Sequence, residues 1–169
     1  MRFLKRVFIA IIAALAVSAL AAHGQSLSSH AQSRSLLKTD AVMYLFPEQV
    51  SVPAGKPSQV ALHFRIAPGL HINSNKPSDD FLIPTTFSIP DGSGVRLDSA
   101  TYPAGTVMML PVDPTTKLSV YTGEFIIQAR ILATSGNHLV QGKLHYQACD
   151  NNQCMPPKTI AVVIDVIGK

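Results

Sequence analysis

The chain has 169 residues, enough for one domain with tails. With 47% hydrophobic and 14% charged residues it is too apolar for a disordered chain and has ample material for a core. Arg2, Lys5 and Arg6 account for three of the four units of formal net charge, so without them +4 falls to +1 and the charge argument for a nucleic-acid partner disappears.

Those three basic residues precede an apolar run from Val7 to Ala22 interrupted only by Ser18. A basic start, a short apolar stretch and small residues at its end predict a secretory signal peptide over 1–21, with cleavage as late as Gly24. The run is shorter than the roughly 20 residues a membrane helix needs, which disfavours the alternative of an uncleaved N-terminal anchor. Residues 22–40 follow as a Ser-rich polar stretch without sustained periodicity and predict a flexible tether.

The body is expected over 41–169. All 12 prolines fall between Pro47 and Pro157, leaving little room for long helices. Period-2 alternation is clear in three places: Val60, Leu62, Phe64 and Ile66; Phe125, Ile127, Ala129 and Ile131; and Ile160, Val162, Ile164 and Val166. Turn signals at 53–58, 67–69, 90–94 and 134–137 separate such runs. Short strands at this spacing predict an all-β, antiparallel β-sandwich of about seven to nine strands. Two segments exceed ordinary turn length, Asn73–Pro84 and Pro103–Lys117, and long connections in a compact domain are often functional.

Chemistry concentrates at Cys149 and Cys154, in HYQACDNNQCMPPK. Four intervening residues suit the base of a tight hairpin or wide loop, where opposed Cα atoms lie about 4.5–5.5 Å apart and a disulfide can form. So small a ring stabilises a fold by only about 2 kcal/mol in the chain-entropy model, little for a domain with a full core. Spacing alone leaves three readings open: a structural disulfide, a redox-active pair, or a metal site recruiting His145 or Asp150. The chain has no nucleophile elbow, phosphate-binding glycine loop or H-E-x-x-H motif.

The segment YQACDNNQCMPP resembles the redox-active segment of the N-terminal periplasmic domain of the thiol–disulfide interchange protein DsbD. The earlier stretch LHFRIAPGLHINSNKPSDDFLIPTTFSIPDG is similar to that family's Gly-x-His-x-Asn…Pro-Thr…Pro-x-Gly segment. The resemblance extends loosely over residues 41–167. It implies an immunoglobulin-like sandwich that relays electrons through Cys149 and Cys154, with Cys154 the attacking thiol and Cys149 the resolving one. It also implies a membrane-embedded thiol reductase as donor, periplasmic thioredoxin-like proteins as acceptors, and a periplasmic location. No cofactor, metal, nucleic acid or small-molecule substrate is expected. The membrane and thioredoxin-like domains of full-length DsbD are not in this sequence, which leaves two expectations: a donor that acts in trans, or a relative that has drifted to another task. The competing expectation is a non-catalytic binding or assembly module with a permanent disulfide.

Other residues acquire candidate roles from the same resemblance. His71 is expected near the cysteines, where a protonated imidazole would lower a thiol pKa, and Tyr146 is expected to line the site. In the 103–117 segment, Met108 and Met109 are candidates for a cap over the cysteines; the plain alternative is a strand whose apolar side chains enter the core. Pro156 and Pro157 stiffen the backbone after Cys154 or end a sheet edge.

Overall fold

The alternating stretches become the strands that carry the core. In the computed structural model residues 40–45, 49–111 and 113–169 are described. The expected leader over 1–21 and all of the expected tether but Asp40 lie outside the described residues.

One sheet has the order β1-β3-β9-β6, from β1 (Val42–Tyr44), β3 (Ser58–Ile66), β9 (Glu124–Ala133) and β6 (Val95–Thr101). A second has the order β2-β12-β10-β5, from β2 (Gln49–Val52), β12 (Lys158–Gly168), β10 (Gly136–Tyr146) and β5 (Thr86–Ser88). The alternating residues pack as their period requires. Val60, Leu62, Phe64 and Ile66 on β3 are buried, as are Phe125, Ile127, Ala129 and Ile131 on β9 and Val162, Ile164 and Val166 on β12. Leu62 faces Ile127 in register, and Phe64 faces Phe125 with the rings stacked at 5.1 Å. Each such side chain contributes roughly 1.5–3 kcal/mol by leaving water. The result is an all-β, immunoglobulin-like fold in which β2 pairs parallel to β12, a departure from the purely antiparallel expectation.

A third sheet, here called the end sheet, has the order β11-β4-β8-β7, from β11 (Ala148–Cys149), β4 (His71–Asn73), β8 (Asp113–Tyr121) and β7 (Thr106–Leu110). Its inner strands continue the sandwich. The chain leaves β3 through the 67–70 turn into β4, leaves β10 at Gln147 into β11, and passes from β8 into β9 across Thr122 and Gly123. Gly123 has φ 63°, a backbone conformation that only glycine adopts without penalty, and its carbonyl accepts the Ile66 amide at 2.7 Å. These breaks help bring the strands among the described residues to twelve, beyond the seven to nine expected.

The 103–117 segment is therefore not a loop but mainly a β7–β8 hairpin. Nor do its apolar side chains enter the core: Val107 and Met109 are 65% and 57% exposed. The 74–85 connection does remain a loop, fixed at its base. Thr85 donates its hydroxyl to the Asn73 carbonyl at 2.6 Å, Asn73 donates its amide to the Ile83 carbonyl at 3.0 Å, and the Ser74 and Ser119 hydroxyls bond at 2.8 Å.

Candidate functional site

The cysteine segment is a hairpin turned so tightly that its geometry is local. Asp150 N donates to the Gln153 carbonyl at 2.9 Å and Met155 N to the Ala148 carbonyl at 2.8 Å. These bonds flank Cys149 and Cys154, making them a non-hydrogen-bonded antiparallel pair, the arrangement that brings side chains closest. The Cα atoms are 4.0 Å apart, closer than the sequence suggested, and the sulfurs are joined in a disulfide. The Asp150 carboxylate braces the tip by accepting the Asn152 and Gln153 amides at 2.7 and 2.8 Å. Those two bonds, aided by His71 nearby, hold the Asp150 carboxyl below its ordinary range.

The two cysteines differ sharply in exposure. Cys149, at the edge of the end sheet, is only 3% exposed, whereas Cys154 is exposed. Behind Cys154 the Gln147 side chain donates to the Met155 carbonyl at 3.2 Å. The Asn73 amide nitrogen lies 3.5 Å from Gln147 Oε1, so the base of the 74–85 loop and the cysteine hairpin are neighbours.

β4 aligns His71 directly opposite Cys149, and Ile72 opposite Ala148 and Tyr121. Alternation then divides the end sheet. Ile72, Ala148 and Tyr121 face the main core, while His71 and Cys149 share the other face, where Asn73 pairs with Val120. That second face is also buried, with His71 only 2% exposed. Burial lowers the His71 pKa despite the opposing attraction of Asp150, so at neutral pH the imidazole is uncharged. The expected protonated imidazole is thus replaced by a neutral one, because the ring is taken out of water.

The matching family model is "Thiol:disulfide interchange protein DsbD, N-terminal", over residues 41–165. The chain belongs to this family. A similar solved structure is the reduced N-terminal domain of DsbD from Neisseria meningitidis, 20% identical, with 68% of this chain and 82% of that chain covered and a TM-score of 0.47. Another is the N-terminal periplasmic domain of ScsB from Proteus mirabilis, 14% identical, with 66% of this chain and 42% of that chain covered and a TM-score of 0.44. No curated protein sequence matches the chain. Membership of the DsbD N-terminal family and a cysteine pair at bonding distance support thiol–disulfide interchange, and with it thiol-redox partners, in general terms. Among the described residues no helix is long and apolar enough to cross a membrane.

The two candidate cap residues part company. Thr106 pairs with Val120 and Met108 with Leu118, so Met108 falls on the face that holds His71 and Cys149. It lines an open recess together with His71, Leu70, Gly123 and Asn151 of the cysteine hairpin. Met109 points the other way, towards solvent, and takes no part in that recess. Tyr146 sits in the sandwich core rather than beside the sulfurs, continuing the inward series Val140, Leu144 on β10. Its hydroxyl is buried without a hydrogen-bond partner among the described residues, and burial raises its pKa; the Val42 backbone lies near enough to temper that shift. His145 lies on the outer surface of β10, bonded to the Thr159 hydroxyl at 3.0 Å.

The sequence marks Asp150 as a candidate metal ligand, and the structure uses it to cap the turn. The signal for its actual place was available: an aspartate opening a four-residue Asp-Asn-Asn-Gln turn is the residue type that caps such turns with its own carboxylate.

Proposed function

We propose that the chain is an exported, periplasmic electron relay in which Cys149 and Cys154 cycle between dithiol and disulfide. The observation that carries this reading is the asymmetry of the pair: an exposed Cys154 joined to a buried Cys149 within one stiff hairpin. An attacking thiol needs access to another protein's disulfide; a resolving thiol needs only its neighbour. In the reduced form the Cys154 thiolate attacks a partner disulfide, forming a mixed disulfide and expelling one partner thiolate. The Cys149 thiolate then attacks Cys154 Sγ, closing the intramolecular bond and releasing the second partner thiolate. Two electrons pass to the partner, and the pair is oxidised. A membrane-embedded thiol reductase returns it to the dithiol, and periplasmic thioredoxin-like proteins are the acceptors. The signal peptide over 1–21 delivers the domain, and the tether over 22–40 precedes it.

Within this reading Met108 is the cap and shields the inner, Cys149 side of the pair, while Met109 serves as part of the outer surface. Tyr146 supports the hairpin from the core side.

The test is the reduction potential of the Cys149–Cys154 bond, from equilibration against glutathione or dithiothreitol buffers with free thiols counted. A relay lies between about −120 and −270 mV, the span of known exchange proteins. A value below about −300 mV identifies a permanent staple and replaces the relay with a binding module.

A further inference from the structure

We infer that His71 is the proton acceptor for Cys149, so that the buried thiol is converted to its attacking form by a histidine held opposite it across the end sheet. This inference rests on the relay reading and specifies how its second step is driven.

The relay has an unsolved proton. Cys154 is exposed and exchanges its proton with water, but Cys149 is buried, and burial of a thiol disfavours the thiolate. Resolution of the mixed disulfide requires that thiolate, at a site water barely reaches. A base must therefore be built into the protein, within reach of the sulfur and itself uncharged.

His71 meets each condition. It is the strand partner of Cys149, and residues directly opposed in an antiparallel pair project to the same side with Cβ atoms about 4.5–5.5 Å apart. It is buried on the same face, and burial keeps the ring neutral at neutral pH, ready to take a proton. The groups around it favour that transfer. On β11 and its turn the neighbours are Cys149 and the Asp150 carboxylate, whose attraction stabilises an imidazolium once formed. On the β8 side the neighbouring titratable group is Tyr121, whose hydroxyl is turned away to Asn75 and the Pro103 carbonyl. Around the recess, Arg65 and Glu124 neutralise each other at 2.7 Å. Asp150 is thus the one unpaired charge among these neighbours, and its sign suits a cation at His71.

The step balances. The Cys149 S–H bond breaks and its proton passes to an imidazole nitrogen of His71. The Cys149 sulfur forms a bond to Cys154 Sγ as the bond between Cys154 and the partner breaks, and the partner leaves as a thiolate that is protonated from solvent. The imidazolium then returns its proton to water beside Asp150. Reduction of the disulfide runs the same steps backwards, with the imidazolium reprotonating the expelled Cys149 thiolate.

The experiment uses the reduced protein and the chromophoric disulfide 5,5′-dithiobis(2-nitrobenzoate). The first chromophore release reports attack by Cys154, and the second reports ring closure by Cys149. In the wild type, closure is fast at pH 7 and slows as pH falls through the imidazole range. In His71→Gln, closure at pH 7 is expected to slow at least about tenfold, within the usual reach of proton transfer by a positioned side chain. Its rate should climb steadily with pH through the thiol range and approach the wild type in alkali, while the first release stays within about twofold. Asp150→Asn keeps the turn-capping oxygen and should slow closure several-fold at pH 7; it carries the test if His71→Gln fails to fold. Closure at the wild-type rate with the wild-type pH profile in either folded variant overturns the role of His71. A wild-type protein that gives the first release but never the second overturns the relay itself, which separates the two failures.

Discussion

The sandwich and the end sheet follow one another along the chain across short breaks, yet they differ in what they bury beside their apolar residues. Between β3, β9, β10 and β12 the interior is apolar, from Leu62 and Ile127 to Val140 and Ile164, apart from the Tyr146 hydroxyl. Among the described residues the buried polar ones are His71, Asn73, Ser74 and Thr85, all on β4 or the ends of the loop that follows it. An apolar core is stabilised without direction, whereas each buried polar group must find a partner or weaken the fold. The end sheet accepts that cost beside the cysteines. One region supplies stability, and the other holds groups that change charge or bonding.

The sharpest break of this comparison sets one substitution in each region side by side. Leu62→Ala removes a fully buried side chain from the sandwich and should cost about 2–5 kcal/mol in urea unfolding. Asn73→Ala strips the Ile83 carbonyl of its donor and should cost less, about 1–3 kcal/mol. Thiol exchange should rank them the other way: unchanged in the Leu62 variant while it stays folded, altered in the Asn73 variant, which loses its contact with Gln147 beside the cysteine hairpin. If both variants leave exchange untouched, the end sheet is no more tied to the site than the core is.

A gentler probe is pH. Burial depresses the His71 pKa, so the unfolded chain binds that proton more readily than the folded one. Stability therefore declines as pH falls below about 6.5, the ordinary imidazole value, until the folded pKa is passed. Asp150, held below its ordinary range, acts in a separate window: its contribution is present above about pH 4 and is lost as pH falls through the folded value. Urea midpoints compared at pH 8 and pH 5.5 should show a decline in the wild type that His71→Gln flattens. An identical decline in that variant would locate the responsible group elsewhere.

The same division explains what could be read from the sequence. The sandwich was legible because its strands obey a period of two: Val60 to Ile66 and Phe125 to Ile131 pair in the register that burying one face demands. The cysteine hairpin was legible because four residues fix it locally. The end sheet was not, since its pairings join short pieces far apart in the chain: His71 with Cys149, Asn73 with Val120, Met108 with Leu118. A three-residue strand such as β4 has too little length to show periodicity. The depth at which His71 lies depends on what β8, β11 and the cysteine turn place around it. The hairpin at 106–121 was hidden for a related reason, as Pro111 and Pro114 near its turn resemble loop punctuation while its apolar residues divide between two faces.

The smallest expected effect tests that last point, because adjacent methionines on one strand should behave differently. Alkylation of the reduced protein by iodoacetamide resolves two thiols, an exposed Cys154 that reacts first and a buried Cys149 that reacts slowly. Met108 lies on the inner face over the recess shared with His71, so Met108→Ser should admit water and reagent and quicken the slow phase several-fold. Met109 is already turned to solvent, and Met109→Ser should leave both phases within about twofold of the wild type. Neither change should move the unfolding midpoint appreciably, since neither side chain belongs to the sandwich core. Equal acceleration by both substitutions would mean that the hairpin swings as a body and that the inner and outer faces of β7 are not fixed. No acceleration by either would leave Cys149 protected by its own strand pairing, and Met108 would then be packing beside the site without covering it.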